Sequence, residues 1–126
     1  MHYHICMPAR RLATQALSEL LGVLSHPDRV RIVEELRQGE LDVNHLCERL
    51  GLAHARMSQQ LSLLRNARVV VDRREGRHVY YRLADPRLAA WLLDGLAFVE
   101  TGAERADQVR SAIQEVRMLW SEPDKS

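Results

Sequence analysis

Asp42-Val43-Asn44-His45-Leu46-Cys47-Glu48-Arg49-Leu50-Gly51-Leu52-Ala53-His54-Ala55-Arg56-Met57-Ser58-Gln59-Gln60-Leu61-Ser62-Leu63-Leu64-Arg65 is the stretch that decides the fold. Asp42 offers a side-chain oxygen that can cap a helix; Val43, Leu46 and Leu50 form the apolar face behind it, and Gly51 supplies the stop. A second helix follows almost at once, with Met57, Leu61 and Leu64 at i, i+4 and i+7. Two short helices joined by a Gly-containing turn make a helix-turn-helix pattern. The hydrophobic period then changes from helical to alternating. Val69-Val70-Val71-Asp72-Arg73-Arg74 and His78-Val79-Tyr80-Tyr81-Arg82-Leu83 are rich in β-branched and aromatic residues. Between them lies Glu75-Gly76-Arg77, whose glycine can take the positive φ of a tight hairpin. A hairpin directly after a helix-turn-helix is a wing. The expected fold is mainly α with a small β-hairpin wing, a winged helix-turn-helix.

Outward from this centre the chain reads as helix. Residues 1–8 read as a flexible N-terminal arm closed by Pro8. From Ala9 to Leu24 the residues Leu12, Ala16, Leu17, Leu20, Leu21 and Leu24 form one apolar stripe. Ser25 with Asp28 fits a capping pattern for the next helix, with Pro27 in its first turn; Val30, Val33 and Leu36 are expected inward, and Gly39 ends it. After the hairpin, Asp85-Pro86 opens a C-terminal helix with Leu88, Trp91, Leu92, Leu96 and Val99 on one face, which Thr101-Gly102 either interrupts or does not. Ala106, Val109, Ile113, Val116 and Trp120 then step by 3 and 4, the seam of a helix that packs on another helix. Residues 9–120 therefore read as a single domain and 121–126 as a frayed tail.

A chain of 126 residues with 46% apolar residues is a folded domain rather than a disordered one, and with only 5% aromatics its core must be built from Leu, Val and Ala. No apolar run nears the roughly 18 residues that span a bilayer, so no membrane partner is expected. Met1–Cys6 has neither a basic segment nor a long apolar one, so a secretory leader is not expected and the chain is assigned to the cytoplasm, with Cys6 and Cys47 reduced. The net charge of +1 does not by itself announce a nucleic-acid binder. The distribution is more informative: six Arg between Arg65 and Arg82 face only Asp72 and Glu75, while from Glu100 onward acids outnumber bases six to four. A basic segment on a near-neutral chain suits a DNA reader with a separate association face.

At 100° per residue, centring Met57 on the buried side places Leu61 and Leu64 beside it and puts Ala55, Gln59 and Ser62 opposite, flanked by Arg56 and Ser58. Gln can pair with adenine, Arg with guanine, Ser with either, and Ala can touch a thymine methyl. An ordinary solvated helix face would look similar, but this one has no acid between Ala53 and Ala67 and sits inside a complete helix-turn-helix-plus-wing order. The wing contributes Arg73, Arg74, Arg77 and His78, which can reach phosphates or a narrow minor groove. Edge-strand protection by charge is the bland alternative. Arg65, in the last turn of the reading helix, completes the basic set.

From about Leu20 to Leu96 the sequence resembles the ArsR/SmtB family of bacterial repressors. The resemblance is carried by Leu24-Ser25-His26-Pro27-Asp28-Arg29-Val30-Arg31-Ile32-Val33, by Met57-Ser58-Gln59-Gln60-Leu61-Ser62-Leu63-Leu64-Arg65, and by Arg73-Arg74-Glu75-Gly76-Arg77-His78-Val79-Tyr80-Tyr81-Arg82-Leu83. It implies a repressor that binds double-stranded operator DNA and is released by an inducer, here unidentified. It also implies a homodimer built from the first and last helices, which puts Leu12, Leu17, Leu20, Leu88, Trp91, Leu92, Val109, Ile113 and Val116 at the interface. His54, Arg56, Ser58 and Gln59 match the family's DNA-reading positions, and Arg73, Arg74 and Arg77 its wing. Ala53 stands where the family often has a Ser cap, whose loss typically costs about 1 kcal/mol; His54 is a weak substitute.

The thiolate pair that arsenic-type members carry at the start of the third helix is replaced here by Asp42 and Asn44, so a soft-metal site of that kind is absent. No His lies between Asp85 and Ser126, which removes the site other members build on the last helix. His2, His4 and Cys6 on the arm with His45 and Cys47 on the third helix are the remaining candidates for Zn, Cu or Ni. The favoured reading has no metal and no cofactor; a metal-sensing repressor and a winged-helix protein-interaction module are the alternatives. With no Gly-rich phosphate loop, no His-Glu-x-x-His and no nucleophile with an identifiable base, an enzyme is not expected.

Overall fold

Pro27 and Asp28 show how local chemistry places the elements. Pro27 lacks the N–H that a first helical turn would leave unpaired, so the helix starts on it and the residue before it becomes the cap. In the computed structural model, which describes residues 7–102 and 106–121, that cap is His26, whose Nδ1 accepts from the Asp28 N–H at 3.3 Å. The expected Ser25 cap is thus corrected: Ser25 Oγ donates backward to the Gly22 carbonyl at 2.6 Å and closes the preceding helix instead.

The order is α1 (Met7–Val23), α2 (Pro27–Glu35), a 3-10 turn (Leu36–Gln38), β1 (Leu41–Asp42), α3 (Val43–Leu50), α4 (His54–Asn66), β2 (Val70–Glu75), β3 (His78–Leu83), α5 (Arg87–Gly102) and α6 (Ala106–Ser121). Helix α1 already runs at Met7 and Pro8, earlier than the Ala9 start read from the sequence, because proline is tolerated in a first turn. His2, His4 and Cys6 lie outside the described residues. Among the described residues no helix is long and apolar enough to cross a membrane.

β2 and β3 form an antiparallel hairpin from Val70↔Leu83 to Glu75↔His78, closed by Gly76 (φ 62°) and Arg77. A third strand was not legible. Leu41 and Asp42 pair with Tyr81 and Tyr80, giving the sheet order β1-β3-β2, and two residues are too short to show a period. The core joins Ile32, Val33 and Leu36 to Leu46 and Cys47, to Met57, Leu61 and Leu64, and to Val70, Tyr81, Leu83 and Ala89. Val30, expected inward, is exposed and Ile32 is fully buried in its place, so the stripe of α2 runs 32, 33, 36. That stripe packs α2 beneath both α3 and α4.

The C-terminal segment is two helices, not one. α6 packs on α5, an ion pair joins Arg117 to Glu100 at 2.7 Å, and Ile113 is buried while Val109 and Val116 are partly buried. At its end Trp120 Nε1 donates to Glu34 at 2.6 Å, with the Arg37 guanidinium 5.4 Å from its ring centroid. Of the α6 residues expected at the dimer face, Ile113 is already buried within its own chain, while Val109 and Val116 stay partly exposed.

Asp42 is the joint between sheet and helix-turn-helix. Its Oδ1 accepts from the His45 N–H at 2.8 Å, capping α3, and lies 2.6 Å from His45 Nδ1; Oδ2 is 3.5 Å from His78 Nδ1. The backbone bond from His45 is the main reason its carboxyl titrates below the usual aspartate range, outweighing the opposing effect of burial. Asp42→Ala should cost about 1 kcal/mol of stability. A depressed carboxyl contributes above its unfolded-state pKa and loses that contribution as pH falls through the folded one. Urea midpoints of wild type and variant should therefore differ fully above about pH 4 and converge below it; a gap independent of pH would show that the carboxylate is not the stabilising group.

Candidate nucleic-acid interface

Helix α4 is positioned by what it buries. Met57, Leu61 and Leu64 are 0–1% exposed against α2, α3 and the sheet. Gln60 is buried with them, which amphipathic patterning alone did not single out. Its Oε1 accepts from Arg29 Nε at 2.8 Å, and Arg29 Nη1 donates to the Val23 carbonyl at 2.9 Å, so this amide ties α4 to the α1–α2 corner. Its place beside Met57, Leu61 and Leu64 in the helical repeat is the signal that could have found it.

The opposite face is exposed along its whole length: His54, Ala55, Arg56, Ser58, Gln59, Ser62 and Arg65. No side chain caps the helix, Ala53 having none to offer and His54 being already helical. At the other end Arg68 takes a left-handed φ of 62°, alone among the described non-glycine residues. There the Val69 N–H bonds back to the Leu64 carbonyl at 2.9 Å. This is the C-terminal closure usually given to glycine, and it turns the chain directly from α4 into the wing.

The basic side chains divide into two groups. Arg56 is held by Asp28 of α2, with Nε and Nη2 at 2.9 and 2.8 Å from Oδ2. Arg65 faces Asp72 at 3.6 Å. Arg73 is bound to Glu40 at 3.0 and 2.5 Å and to Glu75 at 2.6 Å. The Arg73 hydrogen bonds hold the Glu40 carboxyl below its usual range, and Glu40 and Glu75 together raise the Arg73 guanidinium further. Arg74 and Arg77 are exposed and form no ion pair among the described residues. His78 sits beside Asp42, its ring 6.1 Å from that of Tyr80.

Of the metal candidates, only His45 and Cys47 lie among the described residues, and they sit in different surroundings. His45 has an exposed side chain engaged with Asp42, whereas Cys47 is buried and its thiol is pushed up by that burial. Among the described residues no group of three or more His, Cys, Asp or Glu is arranged to hold a metal ion.

The apolar surface left uncovered lies elsewhere. Helix α1 buries no residue, and it exposes Leu12, Leu17 and Leu21. On α5, Trp91, Phe98 and Val99 are exposed, while Leu88 and Leu92, with Leu20 of α1, are partly buried against the core.

Known proteins share this arrangement. Residues 26–71 match the family described as bacterial regulatory protein, arsR family. The HTH-type transcriptional repressor SmtB of Mycobacterium tuberculosis is 41% identical over 90 residues, covering 71% of this chain and 67% of that one. The biofilm growth-associated repressor of Agrobacterium fabrum is 38% identical over 92 residues, covering 73% and 78%. The crystal structure of the transcriptional repressor BigR from Xylella fastidiosa superposes with a TM-score of 0.63 at 32% identity, over 75% of this chain and 96% of that one.

Proposed function

This chain belongs to the bacterial ArsR family and is a DNA-binding transcriptional repressor, and we propose from that premise how it holds its operator. The outward face of α4 enters the major groove, with Ser58, Gln59 and Ser62 at base edges beside Ala55, and His54, Arg56 and Arg65 at its margins. Arg74 and Arg77 of the wing reach phosphates, and His78 lies behind them. One observation carries this reading: an exposed, acid-free helix face of short and amidic side chains stands directly opposite a fully buried Met57-Leu61-Leu64 stripe. Small side chains let a helix lie close to base edges, and carboxylates would be repelled by phosphates.

The operator-bound form is a homodimer joined through α1 and α5. Support comes from the large apolar side chains that these two helices leave in water, which a monomer rarely retains as a continuous patch. A twofold pair of reading helices then meets two half-sites about 34 Å apart, and an inducer relieves repression by weakening that fit. Binding sites selected by this protein from random-sequence duplexes give the test. Gln59→Ala should lower discrimination at one base position per half-site by about 1–3 kcal/mol, with the others unchanged. An unaltered base preference at every position would remove Gln59 from the reading set.

A further inference from the structure

The family's reading surface leaves open what sets the angle of the wing, and the sheet's outer face answers with a side chain that crosses it. Arg73 on β2 pairs across the ladder with Tyr80 of the middle strand, and Tyr80 pairs on its other side with Asp42 of β1. The Arg73 side chain follows that row. Its guanidinium lies 4.6 Å from the centroid of the Tyr80 ring and continues to Glu40, the residue immediately before β1. There it donates through both Nε and Nη2, the two-point geometry that only a guanidinium provides. Nη1 holds Glu75, where β2 runs into the hairpin turn. One cation thus spans all three strands, joining the wing's outer strand and tip to the segment that leads into α3.

We infer that Arg73 is a positioning residue rather than a DNA contact: clamped by Glu40 and Glu75 over Tyr80, it fixes the wing so that Arg74 and Arg77 are the cations presented to phosphate. This rests on the DNA-binding reading above and deepens it. Every guanidinium nitrogen of Arg73 already faces a carboxylate, so moving it to a phosphate would strip Glu40 and Glu75 of their partner beside a polyanion. Arg74, on the other face of the same strand, and Arg77, in the turn, have no such obligation.

The test uses the full-length protein and a duplex carrying its selected site, titrated over a range of salt concentrations. A clamp acts on the fraction of molecules whose wing is already in place, so its loss weakens binding without changing the contacts of the bound complex. Arg73→Ala and Glu40→Ala are each expected to weaken operator binding about three- to tenfold. The slope of log affinity against log salt should stay unchanged, and the double variant should be no weaker than either single one. Arg77→Ala on the same duplex should instead make the slope shallower by about 0.9. The clamp is overturned if Arg73→Ala flattens the slope as Arg77→Ala does, or if Glu40→Ala tightens binding by releasing a competing guanidinium. Wild-type binding that ignores salt would instead sink the DNA reading, and the clamp with it.

Discussion

Trp91→Glu should give a monomer whose affinity for a two-half-site operator falls by about 10²–10⁴, the factor lost when a second contact ceases to be intramolecular. Trp91 is 46% exposed on α5 and Leu12 is 68% exposed on α1, so a charge at either position leaves the core of the protomer intact. In a dimer joined through these helices the same charge would be buried without a partner, which costs several kcal/mol. Leu12→Glu should therefore act in the same direction from the other helix. Solution mass by light scattering reads the first effect, and titration of one- and two-half-site duplexes reads the second. The one-half-site affinity should barely change. If both variants keep the wild-type mass, the association surface lies elsewhere.

The second large effect concerns the support beneath α4. Leu64 is fully buried, and its carbonyl receives the Val69 N–H that turns the chain into the wing. Leu64→Ala should lower stability by about 2–5 kcal/mol through lost burial and the cavity left behind. Set against a total of about 5–15 kcal/mol for a domain, that is a large share. Urea midpoints at one fixed protein concentration measure it, since association couples to stability. Leu63→Ala next door, where the side chain is 44% exposed, should shift the midpoint far less. Equal losses at the two positions would mean that the rotation of α4 has been read wrongly.

Much of this architecture was legible because it rests on periodicity and turn chemistry. The Met57-Leu61-Leu64 spacing, the Asp42 cap, the Gly51 stop with φ 67° and the Gly76 turn are local demands of the backbone, and each appears where the residues ask for it. Other features depend on partners distant in sequence. Val30 and Ile32 are both β-branched, and only the packing of α2 beneath α3 and α4 turns Ile32 inward. β1 is a strand because Tyr80 and Tyr81 offer it an edge, not because two residues prefer to be extended.

The same division runs through the site. Alternation of period and the spacing of apolar residues were enough, without any fold, to specify a wing behind two helices and which side of the second helix faces water. Pattern fixes orientation because a helix or strand has one burial period. Residue type, by contrast, does not say whether a charge is free. Arg73, Arg74 and Arg77 look alike in the chain, and Val109, Ile113 and Val116 look like any packing seam. Folding brings Glu40 from 33 residues away onto Arg73, sets α6 against α5 of its own chain, and leaves α1 uncovered. An ion pair or a packed face is set by through-space distance, a quantity that only the folded chain possesses.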